Sequence, residues 1–241
     1  MSNSYFQFKQ FKIEQGNCAM KVTTDGCLFG AWAANFVAQN YPAAKNILDI
    51  GTGTGLLSLM LAQQNTGNIK AVEIELAAAE QAADNFKQSP WGKRLQVTQT
   101  DIKQLPVTGY DIIISNPPFY ENDLRSVAGN KNLAHHDAGL LLQDLIAIIK
   151  QQLNTDGLFF LLLPYKRESE VLALLKQEQL SPLQITNVKQ TEKHSYFRSM
   201  IMGTNNENSG ELVKEVICIR DDENNYTDSF IKLLQEYYLH L

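Results

Sequence analysis

From residue 46 onward, short apolar runs alternate with stretches in which apolar residues recur at helical spacing. Residues 46–50 read as a buried strand, and residues 56–64 as a helix with Leu57, Met60 and Leu61 on one face. Residues 69–74 give a second strand, and residues 76–86 a helix rich in alanine, a strong helix former. Strands over 95–99 and 110–115, an amphipathic helix over 140–150 and a strand over 157–163 stopped by Pro164 continue the alternation. This order predicts an α/β fold: a Rossmann-like, doubly wound, mostly parallel sheet with right-handed crossovers. The pattern then changes. Residues 183–189, 199–203 and 212–219 read as strands with no long helix between them. The last two are expected to form an antiparallel hairpin turning at 205–210, and a helix over 229–238 closes the chain. Residues 1–45 form an extension in which Phe6, Phe8, Phe11 and Ile13 mark a strand or hairpin. Thr24 or Asp25 is the expected cap of a short helix over 26–36. The expected division is an extension, 1–45, and an α/β domain, 46–241.

Length and composition narrow the class. At roughly 150 residues per domain, 241 residues make one large domain or a domain plus an appendage. Apolar residues at 44% and charged residues at 20% exclude a disordered chain. The densest apolar run, 158–163, is strand-sized, far short of the roughly 18 residues that span a bilayer. No membrane association is expected, and the N-terminus lacks the charged head and apolar core of a signal peptide. Cys18, Cys27 and Cys218 are odd in number and lack Cys-x-x-Cys spacing. Neither a disulfide framework nor a metal site is therefore expected, and the reading is a cytoplasmic protein. The net charge of −5 argues against a generally basic nucleic-acid binder. Residues 1–45, with four cations against two acids, and 166–203, with six against four, leave room for a local basic patch.

Candidate chemistry begins at the end of the first strand of the α/β domain. Asp49, Gly51, Gly53 and Gly55 stand in the pattern D-x-G-x-G-x-G where a strand opens into a helix. Glycine lets a ligand approach the backbone and the helix N-terminus there. The dinucleotide fingerprint G-x-G-x-x-G needs glycine at 56, where this chain has Leu56. Glu73 ends the next strand, 22 residues after Gly51, where a carboxylate can accept both hydroxyls of a ribose. The combination resembles the S-adenosyl-L-methionine site of class I methyltransferases. The resemblance implies that Asp49 helps hold the methionine end, that Gly51 to Gly55 pass beneath the cofactor, and that Glu73 binds the ribose. It also implies that Asp101 meets the adenine amino group. Glu75 in place of Glu73, a capping role for Asp101, and a turn that binds NAD or nothing remain open alternatives.

Asn116, Pro117, Pro118 and Phe119 follow the fourth strand. Two prolines fix the backbone and remove two N–H donors, leaving an acceptor-only corner. The Asn116 side-chain oxygen and the Pro117 carbonyl can take both hydrogens of a planar amino group, bias its nitrogen toward tetrahedral geometry and free the lone pair. Phe119 offers a stacking face. Such a site suits methylation of a nitrogen conjugated to a ring or carbonyl, with no metal and no covalent nucleophile. The bland alternative is a strand stop with Phe119 filling a core gap.

Asn-Pro-Pro-Phe resembles the motif of methyltransferases that act on adenine N6, guanine N2, cytosine N4 and glutamine amide nitrogen. The segment Cys18-Ala-Met-Lys-Val-Thr-Thr-Asp-Gly-Cys-Leu-Phe-Gly-Ala-Trp-Ala33 brings the match closer. With Ala71 to Glu75, the helix end Ala83 to Asn85, Ser115 to Tyr120, Tyr226 and Tyr237 to Leu239, it resembles a family of tRNA (adenine-N6)-methyltransferases. These modify the adenosine 3′ of the anticodon, A37, in a valine tRNA. Thr23, where glycine is expected, and Leu76 depart from the family pattern. The resemblance implies a tRNA-modifying enzyme in which Lys21, Thr24 and Asp25 lie near the cofactor, and Asn116, Pro117 and Phe119 carry the chemistry; a helix cap at Asp25 and a solvated Lys21 are the alternative, and a monomer is expected. Phe119 and Tyr120 would contact substrate. Lys189, Lys193 and Arg198, interleaved with His194 and Tyr196, suit RNA contact; an ordinary solvated strand face is the alternative. Arg125, His135 and His136 lie in a polar stretch, 121–137, that could sit over the acceptor base; two lone surface histidines are the simpler reading. Competing functions are a release-factor glutamine or ribosomal RNA guanine-N2 methyltransferase, and a non-catalytic RNA-binding module.

Overall fold

The computed structural model describes residues 4–18, 20–118, 140–206 and 210–241. Its longest strand shows why the sheet is covered on both faces. Leu158, Phe160 and Leu162 enter one buried cluster, and Phe159, Leu161 and Leu163 the other. A stretch of strand that is apolar at every position, as 158–163 is, must bury both sides.

The chain opens with a hairpin, β1 (Tyr5–Gln7) and β2 (Lys12–Glu14), followed by α1 (Thr24–Asn40). Then come β3 (Asn46–Ile50), α2 (Leu56–Gln64), β4 (Asn68–Glu73), α3 (Leu76–Gln88), β5 (Leu95–Gln99) and β6 (Tyr110–Ser115). After them follow α4 (Leu142–Gln152), β7 (Leu153–Pro164), α5 (Glu168–Gln177), β8 (Ser181–Lys189), β9 (Arg198–Thr204), β10 (Val213–Cys218) and α6 (Asp228–Leu234). The main sheet has eight strands in the order β10-β8-β9-β7-β6-β3-β4-β5. Only β9 runs against the rest, pairing antiparallel with both β7 and β8. The α/β fold expected from the alternation is present. Helices α1, α2, α3 and α6 contribute to the cluster on one face, and α4 and α5 to that on the other.

Three expectations need correction. The C-terminal antiparallel hairpin exists, but β8 and β9 form it. β10 does not pair with β9; it lies parallel to β8, with Val213 opposite Gln184. β9 already has both edges bonded, so the following strand takes the open edge of β8. Second, α5 was not expected from the sequence. Only Val171 and Leu175 are fully buried along it, too narrow a stripe to stand out. Third, α1 starts earlier and runs longer than expected, and its cap is Thr23, whose hydroxyl accepts from the Gly26 N–H at 3.2 Å. Asp25 is engaged elsewhere.

Candidate active site

The strand order reverses between β3 and β6, whose following connections run to opposite sides, and ligands of such sheets bind at the carboxyl ends beside that point. Two strand ends are locked together there: Ile50 is paired with Ser115, and the Ser115 hydroxyl donates to the Ile50 carbonyl at 2.8 Å. One residue further on, each strand delivers a predicted motif, Gly51 from β3 and Asn116 from β6.

The glycine turn is held from below and open above. The Gly51 and Thr52 N–H groups donate to the Val72 carbonyl at 2.9 and 3.1 Å. Gly51, Gly53 and Gly55 have φ of +70°, +55° and +85°, conformations that carry little penalty only for glycine. The three differ in surroundings. A Cβ at Gly51 or Gly53 would meet nothing within 4 Å, whereas one at Gly55 would come within 2.5 Å of the Phe86 ring. Gly51 and Gly53 therefore leave an open approach, and Gly55 serves the packing of α3.

Asp49 is fully buried. Its Oδ2 accepts from the Thr52 hydroxyl at 2.6 Å and the Ser58 hydroxyl at 2.7 Å, while Oδ1 is buried without a partner. Burial pushes the carboxyl up to about 6, against those two hydroxyls, which hold it down. Glu73 is also buried. Its Oε2 accepts from the Gly53 N–H at 2.9 Å, and its Oε1 from the N–H groups of Ile74 and Glu75 at 2.9 and 3.1 Å. Glu75 is exposed, and β4 stops at Glu73, so strand alternation does not carry Glu75 to the same place. Asp101 caps a short turn, its Oδ1 accepting from the Lys103 N–H at 2.9 Å.

Asn116 and Pro117 line a cavity of about 530 Å³ together with Thr23, Asp25, Tyr165, Tyr196 and Arg198, among others. Arg198 Nε donates to Asp25 Oδ2 at 2.6 Å across the cavity wall, which joins α1 to β9. Gly26 brings α1 close: a Cβ there would lie 4.0 Å from Asn116 Nδ2. Of the three cations predicted for RNA, only Arg198 lines this cavity. Lys193 is paired with Asp222 at 3.1 Å, and Lys189 with Glu192 at 3.6 Å, its ammonium 5.2 Å from the centre of the Tyr196 ring. Phe119, Tyr120, Arg125, His135 and His136 lie outside the described residues. Among the described residues no group of three or more His, Cys, Asp or Glu is arranged to hold a metal, and no helix is long and apolar enough to cross a membrane.

Residues 32–179 match the family model described as a methyltransferase small domain. A curated protein of Flavobacterium johnsoniae, named tRNA1(Val) (adenine(37)-N6)-methyltransferase, is 39% identical over 97% of this chain and 99% of its own length. The chain belongs to the tRNA1(Val) (adenine(37)-N6)-methyltransferase family. A further member, from Aliivibrio salmonicida, is 37% identical over 99% of both chains. The methyltransferase fold is also shared with a predicted O-methyltransferase from Agrobacterium tumefaciens, with a TM-score of 0.69, 16% identity, and coverage of 88% of this chain and 96% of that one. A putative S-adenosyl-L-methionine-dependent methyltransferase from Methanococcus maripaludis aligns with a TM-score of 0.53 at 16% identity, covering 78% and 90%.

Several residues that build the candidate site carry no distinctive sequence signal. Thr52 and Ser58 stand among glycines and leucines in no motif of their own, yet they bond the buried acid. Tyr165 follows the proline that stops β7, and its ring stands 5.0 Å from that of Tyr196 in the cavity wall.

Proposed function

We propose that this enzyme transfers a methyl group from S-adenosyl-L-methionine to N6 of adenosine 37 in a valine tRNA. The observation that carries the reading is the corner formed by Asn116 and Pro117 at the carboxyl end of β6. It opens into the cavity and lies one strand away from a glycine turn with an open face. The residues present fit the cofactor. Asp49 keeps one buried oxygen unpartnered for an ammonium group, and Gly51 and Gly53 leave room for its body. Glu73, fixed by backbone amides on the far side of Gly53, has acceptor capacity left for ribose hydroxyls. Asp101 uses one oxygen for its cap, and the other is assigned to the adenine amino group.

S-adenosyl-L-methionine, when bound, supplies an electrophilic methyl carbon on a sulfonium. The protein positions the acceptor. Adenine is taken out of its stack and enters the cavity beside Asn116. The side-chain oxygen of Asn116 and the carbonyl of Pro117 accept the two N6 hydrogens, which turns the nitrogen lone pair toward the methyl donor. Phe119 is assigned the stacking face and Tyr120 a neighbouring contact. Arg198 is assigned a phosphate contact, and Lys189 and Lys193 outlying ones. The extension, 1–45, is read as packing on the cofactor site, and the enzyme as a cytoplasmic monomer needing no metal.

Asn116→Ala removes one acceptor and leaves the cofactor site intact. Single-turnover methylation with saturating tRNA and methyl donor should slow by roughly a hundred- to a thousandfold, and a rate near wild type would refute the assignment. Tritiated methyl transfer to bulk tRNA, followed by nucleoside mass spectrometry for N6-methyladenosine, tests the substrate. Methylation of guanine N2 or of a release factor would support the competing readings.

A further inference from the structure

The N-terminal hairpin and the glycine turn meet at one side chain. Asn85, in α3, is 1% exposed, and both amide hydrogens and the amide carbonyl are engaged. Its Oδ1 accepts from the Glu14 N–H at 2.9 Å, and its Nδ2 donates to the Glu14 carbonyl at 2.9 Å and to the Thr54 carbonyl at 2.8 Å. The two bonds to Glu14 reproduce the exchange that a neighbouring strand would make with β2. The third fixes the carbonyl between Gly53 and Gly55. Helix propensity gives no reason for asparagine inside an alanine-rich helix. A buried amide with all its partners is costly to disturb.

Other contacts run along the same seam. The Asn17 N–H donates to Gln81 Oε1 at 3.4 Å, and Lys21 Nζ donates to the Gln15 carbonyl. Cys18 is buried, and its thiol is pushed up by that burial and then by the nearby Glu73 carboxylate, against Lys21. The segment after the hairpin thus runs near the acid assigned to the ribose.

We propose that Asn85 is a positioning residue for the cofactor: through Glu14 and Thr54 it makes the docked N-terminal hairpin part of what fixes the glycine turn, so that cofactor affinity depends on the hairpin. The proposal rests on reading that turn as the cofactor site. A turn with three glycines at positive φ has many accessible conformations, and affinity falls in proportion to the fraction that is competent. Holding the Thr54 carbonyl raises that fraction without touching the ligand.

The test compares wild type with Asn85→Asp and Asn85→Ala. Asn85→Asp keeps the shape and the acceptor for the Glu14 N–H, but sets an oxygen against two carbonyls. Binding of S-adenosylhomocysteine is measured by calorimetry at a temperature where each variant is folded. The Kd should rise about tenfold or more in both, the range expected when buried partners are left unpaired. The KM for the methyl donor should rise with it, while tRNA affinity and the single-turnover rate at saturating donor stay near wild type. A lower Tm with an unchanged Kd would mean a purely structural role and overturns the inference alone. Failure of wild type to bind S-adenosylhomocysteine overturns the cofactor reading as well. Hydrogen–deuterium exchange on wild type needs no variant. Adding S-adenosylhomocysteine should slow exchange at residues 51–55 and at the Glu14 amide together, and slowing at the turn alone overturns the proposal.

Discussion

Gly55 and Gly53 share a sequence pattern and a positive φ, yet the structure gives them different jobs that a pair of alanine substitutions separates. At either position a Cβ strains the left-handed conformation by about 1 kcal/mol. At Gly53 nothing else is touched. At Gly55 the new carbon would stand 2.5 Å from Phe86 Cε1, with two more ring atoms at 3.2 and 3.3 Å. Phe86 is 2% exposed and cannot swing into solvent. Overpacking of this kind adds about 1–3 kcal/mol, so Gly55→Ala should cost roughly 3 kcal/mol in all. For a chain of 241 residues that is a Tm lower by about 6–12 °C, against about 2–4 °C for Gly53→Ala. Affinity should rank the other way. Gly53→Ala puts a methyl group into the open approach beside Glu73 and should weaken S-adenosylhomocysteine binding the more, measured by calorimetry below both transitions. Phe86→Leu in the Gly55→Ala background should restore part of the lost stability by removing the obstructing ring atoms. Equal Tm losses for the two glycines, or no rescue by Phe86→Leu, would refute the assignment of Gly55 to packing.

Asp49 should make cofactor affinity depend on pH. Its folded carboxyl lies at about 6, and the ammonium of the cofactor favours the ionised form, so S-adenosylhomocysteine binding should weaken as pH falls through that value. Asn in place of Asp49 should bind more weakly at neutral pH and show a flat profile over the same range; a wild-type profile flat through pH 6 would count against this contact. Arg198→Gln should raise the Kd for tRNA and reduce the slope of its logarithm against log salt by about 0.7–0.9, the share of one phosphate contact. Lys193→Gln, in an exposed pair with Asp222, should do less in filter binding; the reverse order would place the RNA surface elsewhere. Glu73→Ala should weaken S-adenosylhomocysteine binding more than Glu75→Ala in the same titration, since only Glu73 is buried against the turn.

The half of the fold from β3 to β7 was readable because strand-sized runs, apolar as in 158–163 or alternating as in 95–99, are set between helix-length segments rich in leucine and alanine. The later strands were harder for a different reason. Proximity in sequence favours pairing β10 with β9, but hydrogen bonding on both edges of β9 leaves the edge of β8 as the place to go, a constraint that exists only in three dimensions. The reactive motifs at Asp49 to Gly55 and Asn116 to Pro117 were legible because their backbone demands are local. The contacts that join them were not. Asp25 looked like a helix cap, but its carboxylate meets Arg198, 173 residues away, and capping passes to Thr23, the position that departs from the family pattern. Lys189, Lys193 and Arg198 looked equivalent along the chain, and only the fold sorts the one in the cavity from the two engaged with acids outside it.

The hairpin that reaches the glycine turn through Asn85 is itself held by the other end of the chain. The Lys9 N–H donates to the Tyr237 carbonyl at 2.8 Å, the Phe6 ring stands 5.7 Å from that of Tyr238, and the Tyr237 hydroxyl donates to the Met60 carbonyl at 3.0 Å. During synthesis the hairpin is made long before its cover, which lies far downstream. Contacts of such long sequence separation close late in folding, and until they do Phe6 and Phe8 lack the aromatic surface that buries them. Without Tyr237 and Tyr238 the hairpin keeps its Asn85 bonds to α3 but loses the aromatic surface over Phe6 and Phe8, so its outer side is left open to proteases and chaperones. The candidate methyl-donor site is in this way tied to a contact between segments separated by most of the sequence.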